Sequence, residues 1–289
     1  MARPVATRMS HALHASSRHA LRSALAGPFT ALGRHWELTR ELTRRDILGR
    51  YRGANFGLMW SLIGPLMMLA IYTITFGEIM QSRWQQASGA TAEFGIVLFI
   101  GIIIHGFFAE CFARSPRLML DNANYVKRVV FPLQVLPWSV VLSALFHMGM
   151  NLVVFVVLNA LFFGSFSPHI VLLPLVLAPL VMLTIAVCWL VTSLGVYVRD
   201  ISQAVPVIAT GLFFISSAII PLQVVPPRYR IFFEFNPLTF FIDQARNVAL
   251  WNTMPDWAGL LKYAIIGLLG MYLAFAWFRV TSKGFADVL

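Results

Sequence analysis

Few residues in this chain have the type and spacing to make or break bonds. Inside its long apolar runs the ionisable side chains reduce to His105, Glu110, His147 and Lys262. Covalent catalysis needs a nucleophile, a base and an orienting group within reach of one another. These four are scattered, and no nucleophile elbow, paired intramembrane carboxylates or His/Cys/Asp cluster accompanies them. Gly27 and Gly33 are six apart and followed by Arg34, which fails the Lys-Ser/Thr requirement of a phosphate-binding loop. An ion-coupled transporter would plant carboxylates or histidines at mid-membrane. Here Glu110 lies near the end of a run and His147 stands alone, so both histidines are expected to be hydrogen-bonded interior groups. Cys111 and Cys188 fall in or beside apolar runs with no CxxC, as buried small hydrophobes do. His11, His14 and His19 lack neighbouring Cys, Asp or Glu ligands. The expectation is a chain with no catalytic residue, no metal and no cofactor of its own.

What remains is chemistry of recognition. Trp60, Tyr72 and Phe76 are spaced by twelve and four residues, which keeps them on one broad face of a helix. Phe213 and Phe214, with Ser216 and Ser217, mark a second apolar run. A ring offers a flat apolar face to the C–H face of a sugar, so such a surface suits many weak contacts with a long glycan. For any single ring, helix packing or interface marking is the competing role.

A second informative stretch is polar. Asp121 or Asn122 can cap a short helix whose far end carries Lys127 and Arg128, in agreement with the helix dipole. Its apolar flanks make it a connector between two spans, shaped for docking onto a soluble partner; a plain solvated connector explains the charges but not the cap.

These residues must be positioned by membrane helices. Hydrophobic residues make up 58% and charged residues 12%, with a mean hydropathy of +0.75, so most of the chain belongs in lipid. The formal charge of +10 is crowded at the front, where ten of the 22 Lys and Arg residues precede Gly53. That pattern indicates topology and anionic headgroups rather than nucleic acid. After Arg44, Arg45, Arg50 and Arg52 the next 25 residues, 53–77, are uncharged; as a helix they reach about 37 Å, enough to cross a ~30 Å hydrocarbon core. Further spans are expected at about 94–111, 133–163, 170–198, 201–225 and 257–278. No ten-residue alternation recurs, which excludes a β-barrel, and lipid demands helices. The fold class is an all-α membrane protein with six transmembrane helices. With the amino terminus inside, cytoplasmic segments hold 17 Lys and Arg against five elsewhere, so both termini are expected in the cytoplasm.

Two segments fall outside that pattern. Residues 1–35 carry five arginines and no acid; they are taken as a basic, flexible tail rather than a transit peptide or secretory signal, with 36–289 as the membrane domain. The connection 226–256 is rich in aromatics but interrupted by Asn236-Pro237 and Asp243. It is expected to form two short re-entrant helices, which survive only packed on protein or lining a wet cavity. An aromatic belt lying flat on the interface is the alternative. Pro65, Pro206 and Pro221 should kink or end the first and fifth spans.

At these positions the sequence resembles a family. Arg50-Tyr51-Arg52-Gly53, with Gly57-Leu58-Met59-Trp60-Ser61-Leu62-Ile63-Gly64-Pro65, is similar to the entry motif of ABC-2-type permeases for polysaccharide export. Residues 122–132 (Asn-Ala-Asn-Tyr-Val-Lys-Arg-Val-Val-Phe-Pro) resemble their cytoplasmic coupling segment. Gly195 to Ile201, Asn236-Pro237-Leu238 and the tail Lys283 to Leu289 match in register, so the likeness runs from about Trp36 to Leu289. The tail looks closer to the O-antigen and teichoic-acid permeases than to the capsule branch. The resemblance implies an inner-membrane homodimer that moves undecaprenyl-linked polysaccharide. It also implies two copies of a separate nucleotide-binding ATPase, which hold the ATP and Mg. It assigns an interface helix with Trp36, Leu42, Arg45, Ile47 and Arg50, and a coupling helix with Asp121, Asn122, Asn124, Tyr125, Lys127 and Arg128. Trp60, Tyr72, Phe76, Phe213 and Phe214 would line the channel. Tyr229, Phe232, Phe233, Phe240 and Phe241 would form the outer gate. On a helical wheel Trp36, Ile47 and Tyr51 cluster while Leu38 and Leu42 face elsewhere, so the interface helix is not cleanly amphipathic. A drug or small-lipid exporter of the same superfamily is the nearest alternative, and a membrane-embedded glycosyl- or acyltransferase a more distant one.

Overall fold

The structure is a computed structural model describing residues 27–79, 91–127, 131–163 and 167–288. Among these residues all regular structure is helical. Four helices are long and apolar enough to cross a membrane, and two shorter apolar helices accompany them. The chain is a multi-pass membrane protein.

The first helix, α1 (Pro28–Arg34), already begins inside the stretch assigned to the flexible tail. Its small apolar face explains this: Ala31 is buried and the Phe29 ring lies 6.4 Å from that of Trp138. The rest of that tail, 1–26, lies outside the described residues. Helix α2 (Trp36–Arg50) follows at once and packs against α7 (Val135–Phe163).

The run 53–77 is not one straight helix. The chain turns through 51–56, forms a 3-10 turn at Gly57–Met59 and enters α3 (Trp60–Tyr72), which contains Pro65. It then widens into π-helical turns at Thr73–Ile79. Proline removes a backbone bond and a π turn re-spaces the ladder, so both interrupt a regular span. Helix α4 (Thr91–Arg114) crosses the centre of the molecule beside α7. It leads through a 3-10 turn (Ser115–Arg117) into α5 (Leu118–Asp121) and α6 (Ala123–Val126).

Helix α8 (Leu173–Tyr197) packs along α12 (Trp257–Thr281) in the most extensive helix pair of the fold. Trp189 sits at the centre, fully buried between the rings of Trp138 and Phe275. Cys111 and Cys188 are both buried free thiols. Helix α9 (Ile201–Phe214) stops well short of Val225, because the backbone turns irregularly from Ile215 to Pro221 with Ser216, Ser217 and Ala218 fully buried. Helices α10 (Pro227–Phe235) and α11 (Pro237–Ala249) follow, joined at Asn236, and α13 (Phe285–Val288) ends the described chain.

Candidate functional site

Three clusters meet where α2, α4, α7 and α8 end together. The first is electrostatic. Both guanidinium nitrogens of Arg114 donate to Asp46, at 2.8 and 2.5 Å, and Arg50 donates to Glu110. Arg114 also lies 3.5 Å from Glu110, which makes one four-residue chain of alternating charge between α2 and α4. Burial alone pushes the Asp46 carboxyl up, but the hydrogen bonds and charge of Arg114 outweigh it and hold the group below its ordinary value.

This network also explains the failed helical wheel. The buried side of α2 is Thr39 and Leu42, with Asp46 next on that side, while Trp36 is about half exposed and points away from the core. A carboxylate on a buried stripe lowers apparent amphipathicity, yet it is at home there because its counter-charge is on the neighbouring helix. Ile47 is half-buried, and Arg45 and Arg50 are exposed.

The second cluster joins the two segments assigned to a soluble partner. Arg45 on α2 donates to the Tyr125 hydroxyl on α6 at 2.6 Å, with its guanidinium 5.6 Å from the ring. The Phe131 ring stacks on Tyr125 at 4.6 Å. Asn124, Asp121 and Lys127 are exposed, and Arg128 lies outside the described residues. The expected cap does not form. Asn122 occupies the position before α6, but its side chain turns back and donates to the Leu118 carbonyl at 2.9 Å. With φ −117° and ψ 28° it makes a kink between two single-turn helices, and Asp121 pairs loosely with Arg117 at 3.8 Å. The connector is instead fixed by close approach to α8: a Cβ on Gly195 would fall 2.6 Å from the Cα of Pro116. The tail motif closes the same end, with Phe285 fully buried against Tyr197 and Phe278.

Beside the charged chain lies a cavity of about 330 Å³. Arg50, Glu110, Trp60 and His147 line it together with the apolar Met68, Phe99 and Ile103. Tyr51 and His147 share a hydrogen bond of 3.2 Å. His147 Nε2 and Asn151 Oδ1 are buried with no hydrogen-bond partner among the described residues. Trp60 therefore sits by this cleft, with its ring 6.1 Å from that of Phe56, rather than beside Tyr72, Phe213 and Phe214.

Those others do come together. Tyr72 and Phe213 approach to 6.3 Å and Phe213 and Phe214 to 5.6 Å, so α3 and α9 meet at one ring pair while α9 packs mainly on α4. His105, expected as a satisfied interior histidine, bonds to the Ala209 carbonyl at 3.0 Å through Nε2 and lies 4.7 Å from Phe213. The Phe76 side chain is outside what the structure describes. Of the rings assigned to the gate, Tyr229 and Phe232 on α10 are exposed, Phe233 and Phe241 are buried, and Phe240 is intermediate. Those five are therefore a mixed set, with Phe241 a packing residue fully enclosed in the core.

The sequence missed the residue that organises this far end. Arg246, counted as a loop charge, is fully buried on α11. Its guanidinium donates to the carbonyls of Val97 on α4 at 3.0 Å, Ser217 at 2.6 Å and Ala218 at 3.0 Å. Asn236 donates to those of Leu212 and Ile215, at 2.9 and 2.8 Å, and caps α11 through the Leu238 amide. Helix α9 breaks in an apolar setting, so its orphan carbonyls need donors, and these two side chains supply them. Gly101 makes the space, because a Cβ there would lie 2.9 Å from Arg246 and 3.0 Å from the backbone of Ala218. An arginine three residues after Asp243, within the apolar second half of an aromatic connection, was the available signal.

A multi-pass chain, helical among the described residues and joined by ion pairs at one end, has the build of a transport permease. Comparison with known proteins agrees: residues 37–250 match the family model for the ABC-2 type transporter, and the chain belongs to that family. It is 23% identical over 248 residues to the O-antigen export system permease protein RfbA of Myxococcus xanthus, covering 85% of this chain and 93% of that protein. A Klebsiella pneumoniae protein of the same name is 24% identical over 261 residues, covering 89% and 97%. The polysialic acid transport protein KpsM of Escherichia coli is 22% identical over 244 residues, covering 83% and 91%. The chain is accordingly a transporter component.

Proposed function

We propose that this chain is the transmembrane subunit of an ATP-driven exporter that carries lipid-linked polysaccharide across the bacterial inner membrane. The observation that carries this is near full-length similarity to permeases named for O-antigen and polysialic acid, over 83% or more of this chain. In this account α3 and α9 are the first and fifth of six spans, both termini are cytoplasmic, and α10 and α11 are the re-entrant pair. Two copies form a homodimer with two ATPase subunits, which bind the ATP and Mg. Helix α2 is the shelf for the ATPase, and the Asp121–Arg128 segment couples to it. The Arg45–Tyr125 hydrogen bond supports that pairing, because it ties shelf to coupling segment. Tyr72, Phe213 and Phe214 would face an undecaprenyl-linked glycan, and the cleft beside Trp60, lined by both charged and apolar side chains, suits an amphiphile entering from the inner leaflet.

The test is deletion of the gene. One surface glycan should disappear while its lipid-linked precursor accumulates inside the cell, and the purified chain should hydrolyse no ATP by itself. Unchanged surface glycans, or ATPase activity without a partner, would refute the proposal.

A further inference from the structure

A second cavity, of about 500 Å³, opens between α10, α11 and the start of α12, at the end of the molecule remote from the Arg114 network. That volume lies in the range of small-ligand pockets. Phe240 and Tyr263 both line it and pack ring against ring, with centroids 4.7 Å apart and planes inclined by 33°. Glu234, Asp243 and Gln244 contribute acceptors to the same lining and Lys262 a donor. Among the lining residues Thr239 is buried, at 4% exposure, and its hydroxyl has no hydrogen-bond partner among the described residues. A buried hydroxyl is ordinarily satisfied, so one left open in a cavity wall is a vacant valence for a ligand.

Other groups around the cavity are already committed. Asp256 caps α12 through the Gly259 amide, Gln244 accepts from the Asp256 amide, and Asp243 lies 3.5 Å from Arg246. These contacts fix the wall and leave further lone pairs on the carboxylates and amide. An aromatic pair and carboxylate and amide acceptors around one cavity match a pyranose, which presents C–H on its faces and O–H around its rim. Among the described residues no group of three metal-type ligands gathers here or elsewhere. We infer that the α10–α11–α12 cavity is a sugar subsite, holding one neutral hexose unit by stacking on Phe240 and Tyr263 and by hydroxyl donation to Glu234, Asp243 and Thr239. It rests on the export reading above and adds a place where the glycan is held at the far end.

The probe is a set of methyl glycosides of galactose, mannose and N-acetylglucosamine, added to the full chain with its ATPase in lipid nanodiscs. Saturation-transfer NMR should show transfer from protein to ring protons for at least one of them. Tyr263→Leu should weaken apparent affinity about fivefold or more, and Tyr263→Phe should retain it, because the ring and not the hydroxyl is invoked. Thr239→Val should also weaken binding while preserving volume. Equal transfer in wild type and Tyr263→Leu, or no transfer with any of the three glycosides, would overturn the subsite. So would Glu234-dependent binding of calcium or spermidine that displaces no sugar, since that marks a cation site. Loss of surface glycan on gene deletion, with no glycoside binding here, would leave the export reading standing and remove only this subsite.

Discussion

The two ends of the molecule solve the problem of polar groups near lipid in opposite ways. At the basic end side chains pair with side chains on separate rigid helices: Arg114 with Asp46, Arg50 with Glu110, Arg45 with Tyr125. At the far end side chains pair with backbone: Arg246 with three carbonyls and Asn236 with two. The first kind of contact is half-exposed and can be exchanged as helices shift, since water and neighbouring charges stand ready. The second repairs a broken helix and has no substitute in an apolar surrounding. One end is therefore built to change partners, and the other to hold a shape.

The comparison breaks most sharply at Arg246. Replacement by Met strands three buried carbonyls and should cost about 3–5 kcal/mol, enough to remove most folded protein. Thermal unfolding in detergent and the monodisperse fraction on size exclusion check this. Arg246→Lys should recover part of the loss, because one ammonium cannot reach all three acceptors in the plane a guanidinium spans. A wild-type melting temperature in Arg246→Met would show that the far end is not held as described.

Gly195→Ala comes next. A methyl group against the Pro116 backbone should cost about 1–3 kcal/mol and push the Ser115–Val126 connector off α8. Limited proteolysis of the connector should accelerate, while the membrane spans remain protected. The smallest effect is expected at the ion pairs. Asp46→Asn and Arg114→Gln, combined in a double-mutant cycle, should show a coupling energy of about 1 kcal/mol or less, because both groups are partly solvated. A coupling of several kcal/mol would make the basic end as rigid as the far end and erase the distinction.

The sequence exposed some of this and concealed the rest for physical reasons. Long apolar runs are local signals, so α4, α7, α8 and α12 were readable from hydropathy. Pro65 and Pro221 announced interruptions without saying how the freed backbone would be satisfied. At the α9 break the answer came from Arg246 and Asn236, 20 to 30 positions away along the chain, and only the tertiary contact reveals it. The wheel failed on α2 because it counts Asp46 as polar and cannot see Arg114 across the gap. Asn122 has cap chemistry, yet its amide is drawn back to Leu118 because the connector turns there. Tyr125 belongs to the segment that resembles a coupling helix, but nothing local points to Arg45, 80 positions earlier, as its partner.

The central claim is that force enters at the basic end, through the segment holding Tyr125. Inverted membrane vesicles carrying the chain and its ATPase, loaded from outside with lipid-linked glycan, test it directly. Wild-type vesicles should take up glycan only with ATP. The Tyr125→Glu, Lys127→Glu double variant should insert at wild-type levels and show no ATP-dependent uptake. Uptake by that variant at the wild-type rate would contradict the account.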